Sequence, residues 1–161
     1  QAGSLSSGFA WSHRLLTNPS DVDGRRESLS ACYFHLSESS SVLEYVNAGF
    51  PPPFFYQAAD AQLFSLAGTN HGLLSSAPAG FESRKVPVAK GDVILVVTTG
   101  FLEAKGESKE LFGWDRAQKG LLASVQGSAS SICEALTKRF QEHLGTVQAS
   151  SDWAVAVLRK L

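Results

Sequence analysis

The sequence predicts an α+β domain, and the order in which strand-like and helix-like segments occur carries this prediction. Short runs rich in Val, Phe and Tyr fill residues 31–98, whereas residues 117–144 show the apolar spacing of amphipathic helices. A last apolar run, WAVAVLRKL, predicts one more strand. The strands should be mostly antiparallel, because the spacers between neighbouring runs are too short for helical crossovers.

Six strand-like runs precede the predicted helices. ACYFHL and VLEYVNAG, separated by SESSS, predict one hairpin, and PFFYQ and AQLFSL predict a second hairpin around AAD. ESRKVPV comes next, and then DVILVVTT, a continuous apolar run typical of a strand buried on both faces. Before all of these, LSSGFAWSHRLL has apolar spacing closer to that of a helix than to that of a strand.

Two amphipathic helices are predicted after DVILVVTT. The inward face of the first should hold Ala117, Leu121, Leu122 and Val125. The inward face of the second should hold Ile132, Leu136, Phe140 and Leu144. Serines before the second helix and Gly145 after it are residues that commonly cap helix ends.

Length, composition and charge limit the classes of function. With 161 residues, 43% of them hydrophobic and 18% charged, the chain suits one globular domain, which we predict to span residues 1–161. The net charge of −1 and the lack of a Lys/Arg cluster argue against a nucleic acid or an anionic membrane as partner. No apolar run approaches the roughly 20 residues of a membrane span. Cys32 and Cys133 lie far apart in apolar stretches, which predicts buried reduced thiols and a cytoplasmic location.

Four motifs follow one another along the chain: VLEYVNAGFPPPFF, the KGD of residues 90–92, DVILVVTTGFLEAKGESKELFG and the closing SDWAVAVL. In this order and spacing they resemble the motifs of bacterial PPM-type (PP2C-like) serine phosphatases of the SpoIIE/RsbU group. The resemblance covers residues 30–160, and residues 1–29 match the family poorly. It implies a PP2C-like layered β-sandwich of mostly antiparallel strands flanked by helices.

The resemblance also implies a site and its chemistry. Members of the family are understood to hold two Mg²⁺ or Mn²⁺ ions between two sheets, where a metal-activated water attacks the phosphate of a phosphoserine protein. Matched motif by motif, one metal-binding aspartate of the family falls on Thr99, which precedes Gly100. A second falls on Ser151, which precedes Asp152. Neutral residues thus stand at both acid positions.

The NAGH motif of the family falls on residues 47–50, so that Phe50 stands at the histidine position. No match for the family's early metal-binding aspartate and glycine-rich loop occurs before residue 30. Asp152 is therefore the one carboxylate that these motifs leave as a metal ligand. The vestigial site that the resemblance implies consists of Thr99, Gly100, Ser151, Asp152, Asn47 and Gly49.

Three functions are open at this point. Because ligand charge largely sets the affinity for hard cations, we expect a pseudophosphatase without a cofactor, which binds a protein partner in bacterial partner-switching, stress-response or sigma-factor signalling. The alternative is an active phosphatase that uses Mn²⁺ or Mg²⁺ on a phosphoprotein substrate and is completed by residues outside the matched segment. The third is a structural module, in which an open sheet edge pairs with a second copy to form a homodimer.

Overall fold

The computed structural model describes residues 7–8, 10, 12, 29–36, 41–68, 70–73 and 80–161. The strands are β1 (Ala31–Leu36), β2 (Val42–Ala48), β3 (Phe54–Gln57), β4 (Gln62–Ser65), β5 (Arg84–Pro87), β6 (Val93–Val97) and β7 (Val155–Arg159). The helices with described bounds are α1 (Thr99–Glu103), α2 (Gly113–Ser124) and α3 (Ala129–Leu144). Most of the helix predicted over LSSGFAWSHRLL lies outside the described residues. The predicted α+β class is confirmed.

The chain forms two compact units, one of residues 1–50 and 67–88 and the other of residues 51–66 and 89–161. The first contains a sheet of order β1-β2-β5, and the second contains a sheet of order β4-β3-β6-β7 together with the three helices just defined. All strand pairs within these sheets are antiparallel, as predicted. The extent of a single domain over residues 1–161 stays a prediction.

The first unit is built on the predicted hairpin of β1 and β2. Its register pairs Ala31 with Ala48 at one end and Leu36 with Leu43 at the other. β2 is the central strand, since β5 pairs along its other side. Apolar side chains of β2 are accordingly buried on both faces, as Tyr45 and the fully buried Val46 show.

The second unit has its hydrophobic core between its sheet and its helices. On β6, Val93, Leu95 and Val97 join this core, while Ile94 on the opposite face is only 6% exposed. The prediction that DVILVVTT contains a strand buried on both faces is therefore confirmed. The aromatic centre of the core consists of Phe101 in α1, Phe112 directly before α2 and Phe140 in α3, with ring centroids 4.5–5.3 Å apart.

α3 matches its sequence signals closely. Its predicted inward residues are buried: Ile132, Leu136, Phe140 and Leu144. Ser128 Oγ accepts a hydrogen bond from the N–H of Ser131 (3.1 Å) at the start, and Gly145, at φ 62°, donates its N–H to the carbonyl of Gln141 at the end. These are the caps that the sequence predicted.

α2 departs from its predicted inward face at one position. Ala117, Leu121 and Val125 are buried, but Leu122 is 41% exposed. The reason is geometric, because each helical residue turns the side chain by about 100°, which carries Leu122 away from the direction of Leu121. No helix within the described ranges combines the length and the apolar character needed to cross a bilayer.

Candidate functional site

The end of β6 and the approach to β7 lie side by side in the second unit. The N–H of Thr98 donates to the carbonyl of Ala154 (3.2 Å), and its Oγ1 accepts from the N–H of Ala154 (2.9 Å). At Gly100, an added Cβ would collide with the carbonyl oxygen of Asp152 and lie 3.3 Å from Cβ of Ser151. Residues 98–100 and 151–154, which we name the β6–β7 junction, therefore bring two of the sequence motifs together.

Thr99 and Gly100 open a helix, although Thr99 is the last residue of the predicted strand run DVILVVTT. α1 starts at Thr99, and the N–H groups of Phe101 and Leu102 donate to the carbonyl of Thr98 at 3.1 and 3.3 Å. Both Phe101 and Leu102 are buried in the core; a helical turn sets consecutive side chains about 100° apart, whereas a strand would set them on opposite faces. The hydroxyl of Thr98 does not cap this helix, because it is engaged by Ala154.

The junction offers few ligands for a cation. Thr99, Ser151 and Asp152 are all exposed, and together they supply two hydroxyls and one carboxylate. Nowhere in the described part of the chain do three or more His, Cys, Asp or Glu side chains form a group able to hold a metal ion. Mg²⁺ and Mn²⁺ favour sites with several carboxylate oxygens. The described residues of the junction therefore do not fit a two-cation centre.

Asn47 and Gly49 lie in the first unit, where they shape a turn. The buried side chain of Asn47 accepts from the N–H of Phe50 (2.9 Å) and donates to its carbonyl (3.0 Å). Gly49 adopts φ +70°, and an added Cβ would approach the backbone of Gly72 to 2.9 Å. The polar groups of the Asn47 amide thus bond the turn itself, and Gly49 is needed for its backbone conformation.

Asp92 is an important acid that the sequence indicated only as part of KGD. It is 3% exposed, and its two carboxylate oxygens accept from the N–H groups of Ala58 and Ala89, each at 2.8 Å. Its carbonyl accepts from the N–H of Lys160 at 2.9 Å. Asp92 therefore joins the β3–β4 hairpin, the turn before β6 and the end of β7. The sequence signal that could have indicated this role is an acidic residue directly before an apolar strand.

Glu107 fastens the loop after α1 to the end of α3. Its Oε1 accepts from the backbone N–H of Thr146 (2.9 Å) and from the hydroxyl of Thr146 (2.8 Å). These two hydrogen bonds favour the ionised form and so hold the pKa of Glu107 below its ordinary value, with the larger effect from the backbone N–H. The carboxylate thus makes a structural contact at an exposed position.

The two cysteines are free thiols and half-buried, where buried thiols were predicted. Burial raises the pKa of Cys32 to about 12, against the opposing effect of a hydrogen bond with the backbone of Tyr33. Since the thiolate is the nucleophile, Cys32 should be nearly inert at neutral pH.

We expect iodoacetamide at pH 8 to alkylate Cys32 at least ~100-fold more slowly in the folded protein than in urea. The measurement is mass spectrometry over time on Cys133→Ser, which leaves one thiol in the chain. A free cysteine peptide in the same urea series corrects for the effect of urea on the reagent. Equal corrected rates in the folded and unfolded states would contradict the shifted pKa.

The comparisons with known proteins agree with this fold. The sequence profile of SpoIIE, stage II sporulation protein E, matches residues 10–160. The chain belongs to the SpoIIE family. Among curated relatives, Protein IcfG of Synechocystis is 26% identical to this SpoIIE-family chain over 129 residues, which cover 75% of the chain and 19% of IcfG. The predicted resemblance to the SpoIIE/RsbU group is confirmed.

Solved structures share the PP2C-like fold with this SpoIIE-family domain. The RsbU and RsbW domains of a Mycobacterium tuberculosis protein have a TM-score of 0.71 at 24% identity, covering 99% of this chain and 43% of that one. The SiaA-PP2C domain of Pseudomonas aeruginosa has a TM-score of 0.69 at 20% identity, covering 81% and 51%. The SpoIIE phosphatase domain of Bacillus subtilis, presoaked with Mn, has a TM-score of 0.65 at 13% identity, covering 99% and 68%.

The chain spans about a fifth of IcfG and about half of the first two solved chains. At these identities the structural likeness establishes the fold, and the predicted PP2C-like fold class is confirmed.

Proposed function

We propose that this SpoIIE-family domain is degenerate at its metal site and acts by binding a protein partner in bacterial signalling. One observation carries the proposal: at the β6–β7 junction, Thr99 and Ser151 stand where the family's motifs have aspartates. Asp152 is the one carboxylate among the six residues of the vestigial site.

Charge explains why this difference matters. A divalent cation is held by hard, negatively charged oxygens, and the phosphate of a substrate adds further negative charge that the cations must balance. Replacing two carboxylates by hydroxyls keeps oxygen atoms but removes two negative charges. We therefore expect Mn²⁺ to bind more weakly than about 1 mM, which is the weak end of biological sites for hard cations. A metal, if bound, would supply an activated water for phosphate hydrolysis.

Protein contacts hold the scaffold around the junction. Thr98 and Ala154 exchange backbone and side-chain hydrogen bonds, and Gly100 packs directly on the backbone of Asp152. A surface held by such contacts can be retained for recognition after its catalytic acids are lost. This supports a binding role for the junction.

The relatives support a signalling context. The Mycobacterium tuberculosis relative combines RsbU and RsbW domains in one protein, and PppA of Pseudomonas aeruginosa is described as a key regulatory component of the T6SS. We propose that this domain binds a regulatory protein of a signalling pathway, and that it does so in the reducing cytoplasm. Partner-switching, stress response and sigma-factor control are the pathways that fit this class.

The competing function is an active Mn²⁺- or Mg²⁺-dependent phosphatase of phosphoserine proteins, completed by residues outside the matched segment. Solved relatives do include a complex of RsbX with magnesium and a Mn-presoaked SpoIIE domain. Metal binding by this chain separates the two functions, because it must precede any metal-dependent hydrolysis.

The test is a calorimetric titration of Mn²⁺ into the chain, into Asp152→Ala and into Thr99→Asp/Ser151→Asp. We expect no saturable heat from the first two up to about 1 mM Mn²⁺, and an affinity at least ~10-fold higher once both acids are supplied, because ligand charge sets affinity. Saturable binding by the natural chain that is lost in Asp152→Ala would overturn degeneracy. Mn²⁺-dependent release of phosphate from a phosphoserine peptide by the full-length protein would then support the phosphatase.

A further inference from the structure

β7 is an edge strand of the four-stranded sheet in the described part of the chain. Thr98 N–H donates to the carbonyl of Ala154, and Lys160 N–H donates to that of Asp92. Because hydrogen-bonded residues alternate along an antiparallel pair, even-numbered residues from 154 to 160 direct their backbone groups toward β6. The odd-numbered residues of β7 direct theirs away from the sheet.

Among the described residues, one hydrogen bond reaches the outward backbone groups of β7. No hydrogen bond from another described residue reaches the outward backbone groups of Val157 and Arg159. Cys133 Sγ donates a weak hydrogen bond to the carbonyl of Val155 (3.9 Å), and this carbonyl has a second lone pair that can accept from another strand. β7 also lacks the proline that commonly blocks edges. On the face opposite the core, Leu158 is 45% exposed and Ala156 is exposed as well.

The charges around β7 favour one kind of occupant. The segment from Asp152 to Lys160 is apolar in the middle, acidic at its start and basic at its end. An antiparallel copy of the same segment would set each acidic end against a basic end, whereas a parallel copy would set like charges together. The strand is thus complementary to itself in the antiparallel direction.

One register satisfies both the backbone and the charges. In this register, Ala156 of one copy lies opposite Ala156 of the other. The outward backbone groups of Val155 then pair with those of Val157 of the second copy, and Asp152 faces Lys160 of that copy. The register of β6 with β7 ends at Val97 and Val155, and the hydrogen bond between Thr98 and Ala154 continues it by one residue. Asp152 and Lys160 flank β7 at an even separation of eight residues, which places them on the same face where the backbone is extended.

We propose that β7 pairs antiparallel with β7 of a second copy of this chain, with Ala156 at the two-fold axis, so that two sheets become one continuous sheet. Two short strands bury little area compared with the roughly 1,600 Å² of a standard interface. Association is consequently expected at high micromolar concentrations.

The other sheet edges suit self-pairing less well. β5 ends in Pro87 and carries Arg84 and Lys85, which are features that protect edges. β4 has four residues, begins and ends with Gln62 and Ser65, and is not followed closely by a basic residue. The charges around β1 are mixed, with Arg25, Arg26 and Glu27 before the strand and Glu38 after it, so they specify no single antiparallel register.

Disulfide trapping tests the register. In Ala156→Cys the two introduced cysteines face each other with Cα atoms about 4.5 Å apart, within disulfide reach. In the matched variant Leu158→Cys they lie roughly 13 Å apart, beyond that reach. Under mild oxidation we expect at least ~5-fold more disulfide dimer from Ala156→Cys than from Leu158→Cys or the natural chain, whose own cysteines serve as background. Equal yields from the two variants would overturn the register.

Charge reversal tests the occupant. Sedimentation equilibrium in EDTA, up to about 1 mM protein, should show a monomer–dimer equilibrium that Asp152→Lys and Lys160→Asp each weaken at least ~10-fold. The double variant should recover to within about 3-fold of the natural chain, because the opposite charges face each other again. The proposal would be overturned if the natural chain stayed monomeric at all concentrations, if the single reversals left the dimer affinity unchanged, or if the double variant did not recover it. EDTA removes metal, so these outcomes do not depend on whether the junction binds Mn²⁺, which the calorimetric titration tests separately.

Discussion

Replacing Gly100 by alanine should lower the free energy of unfolding by about 3 kcal/mol, the upper end of what overpacking a tight site usually costs. The added methyl group would collide with the backbone carbonyl of Asp152, which cannot rotate away as a flexible side-chain end can. Either α1 or the segment before β7 must shift. The neighbouring contacts of Thr98 with Ala154 hold both in place, so the cost cannot be relieved locally.

Urea denaturation followed by circular dichroism measures this effect. Gly80→Ala is the matched control, since a Cβ at Gly80 would meet nothing within 4 Å, and its stability should stay within about 0.5 kcal/mol of the natural chain. If the Gly100→Ala protein were as stable as the control, Gly100 would not be in tight contact with the backbone of Asp152. Because Gly100 lies in the vestigial site, such a result would also weaken the case for a pre-formed recognition surface.

Asp92→Ala should have a comparable effect, a loss of about 3 kcal/mol in the free energy of unfolding. The substitution removes the acceptor of the N–H groups of Ala58 and Ala89, and a hydrogen bond to a charged group contributes about 1.5–3 kcal/mol to stability. Both bonds are 2.8 Å long and made by a charged, buried acceptor, which makes them stronger than neutral ones. The substitution therefore loosens the β3–β4 hairpin and the turn before β6 together.

Two further variants isolate the cause. Asp92→Asn keeps one acceptor oxygen and places an NH₂ group against the other donor, so its destabilisation should be substantial too. Asp60→Ala removes an exposed acid in the same hairpin and should change stability by less than about 0.5 kcal/mol. If Asp92→Ala denatured at the same urea concentration as Asp60→Ala, the clamp would have no energetic role.

The sequence by itself determined the strands, the two hairpins and α3. These features depend on signals within a few residues: apolar alternation, short spacers, and caps such as Ser128 and Gly145. Family motifs added the PP2C-like fold, because their order along the chain reflects the order of the elements that carry them. Which residue types stand at Thr99 and Ser151 was likewise readable from the sequence alone.

Only the tertiary structure determined the contacts between residues that lie far apart in the sequence. It alone placed Gly100 against Asp152, engaged the carboxylate of Asp92 with two separate turns, and opened α1 at Thr99 because Phe101 and Leu102 enter the core. Local patterns cannot predict such contacts, since they report which faces are apolar but not which partners those faces and backbone groups will meet. The recognition surface proposed at the junction and the self-pairing of β7 both arise from this long-range level.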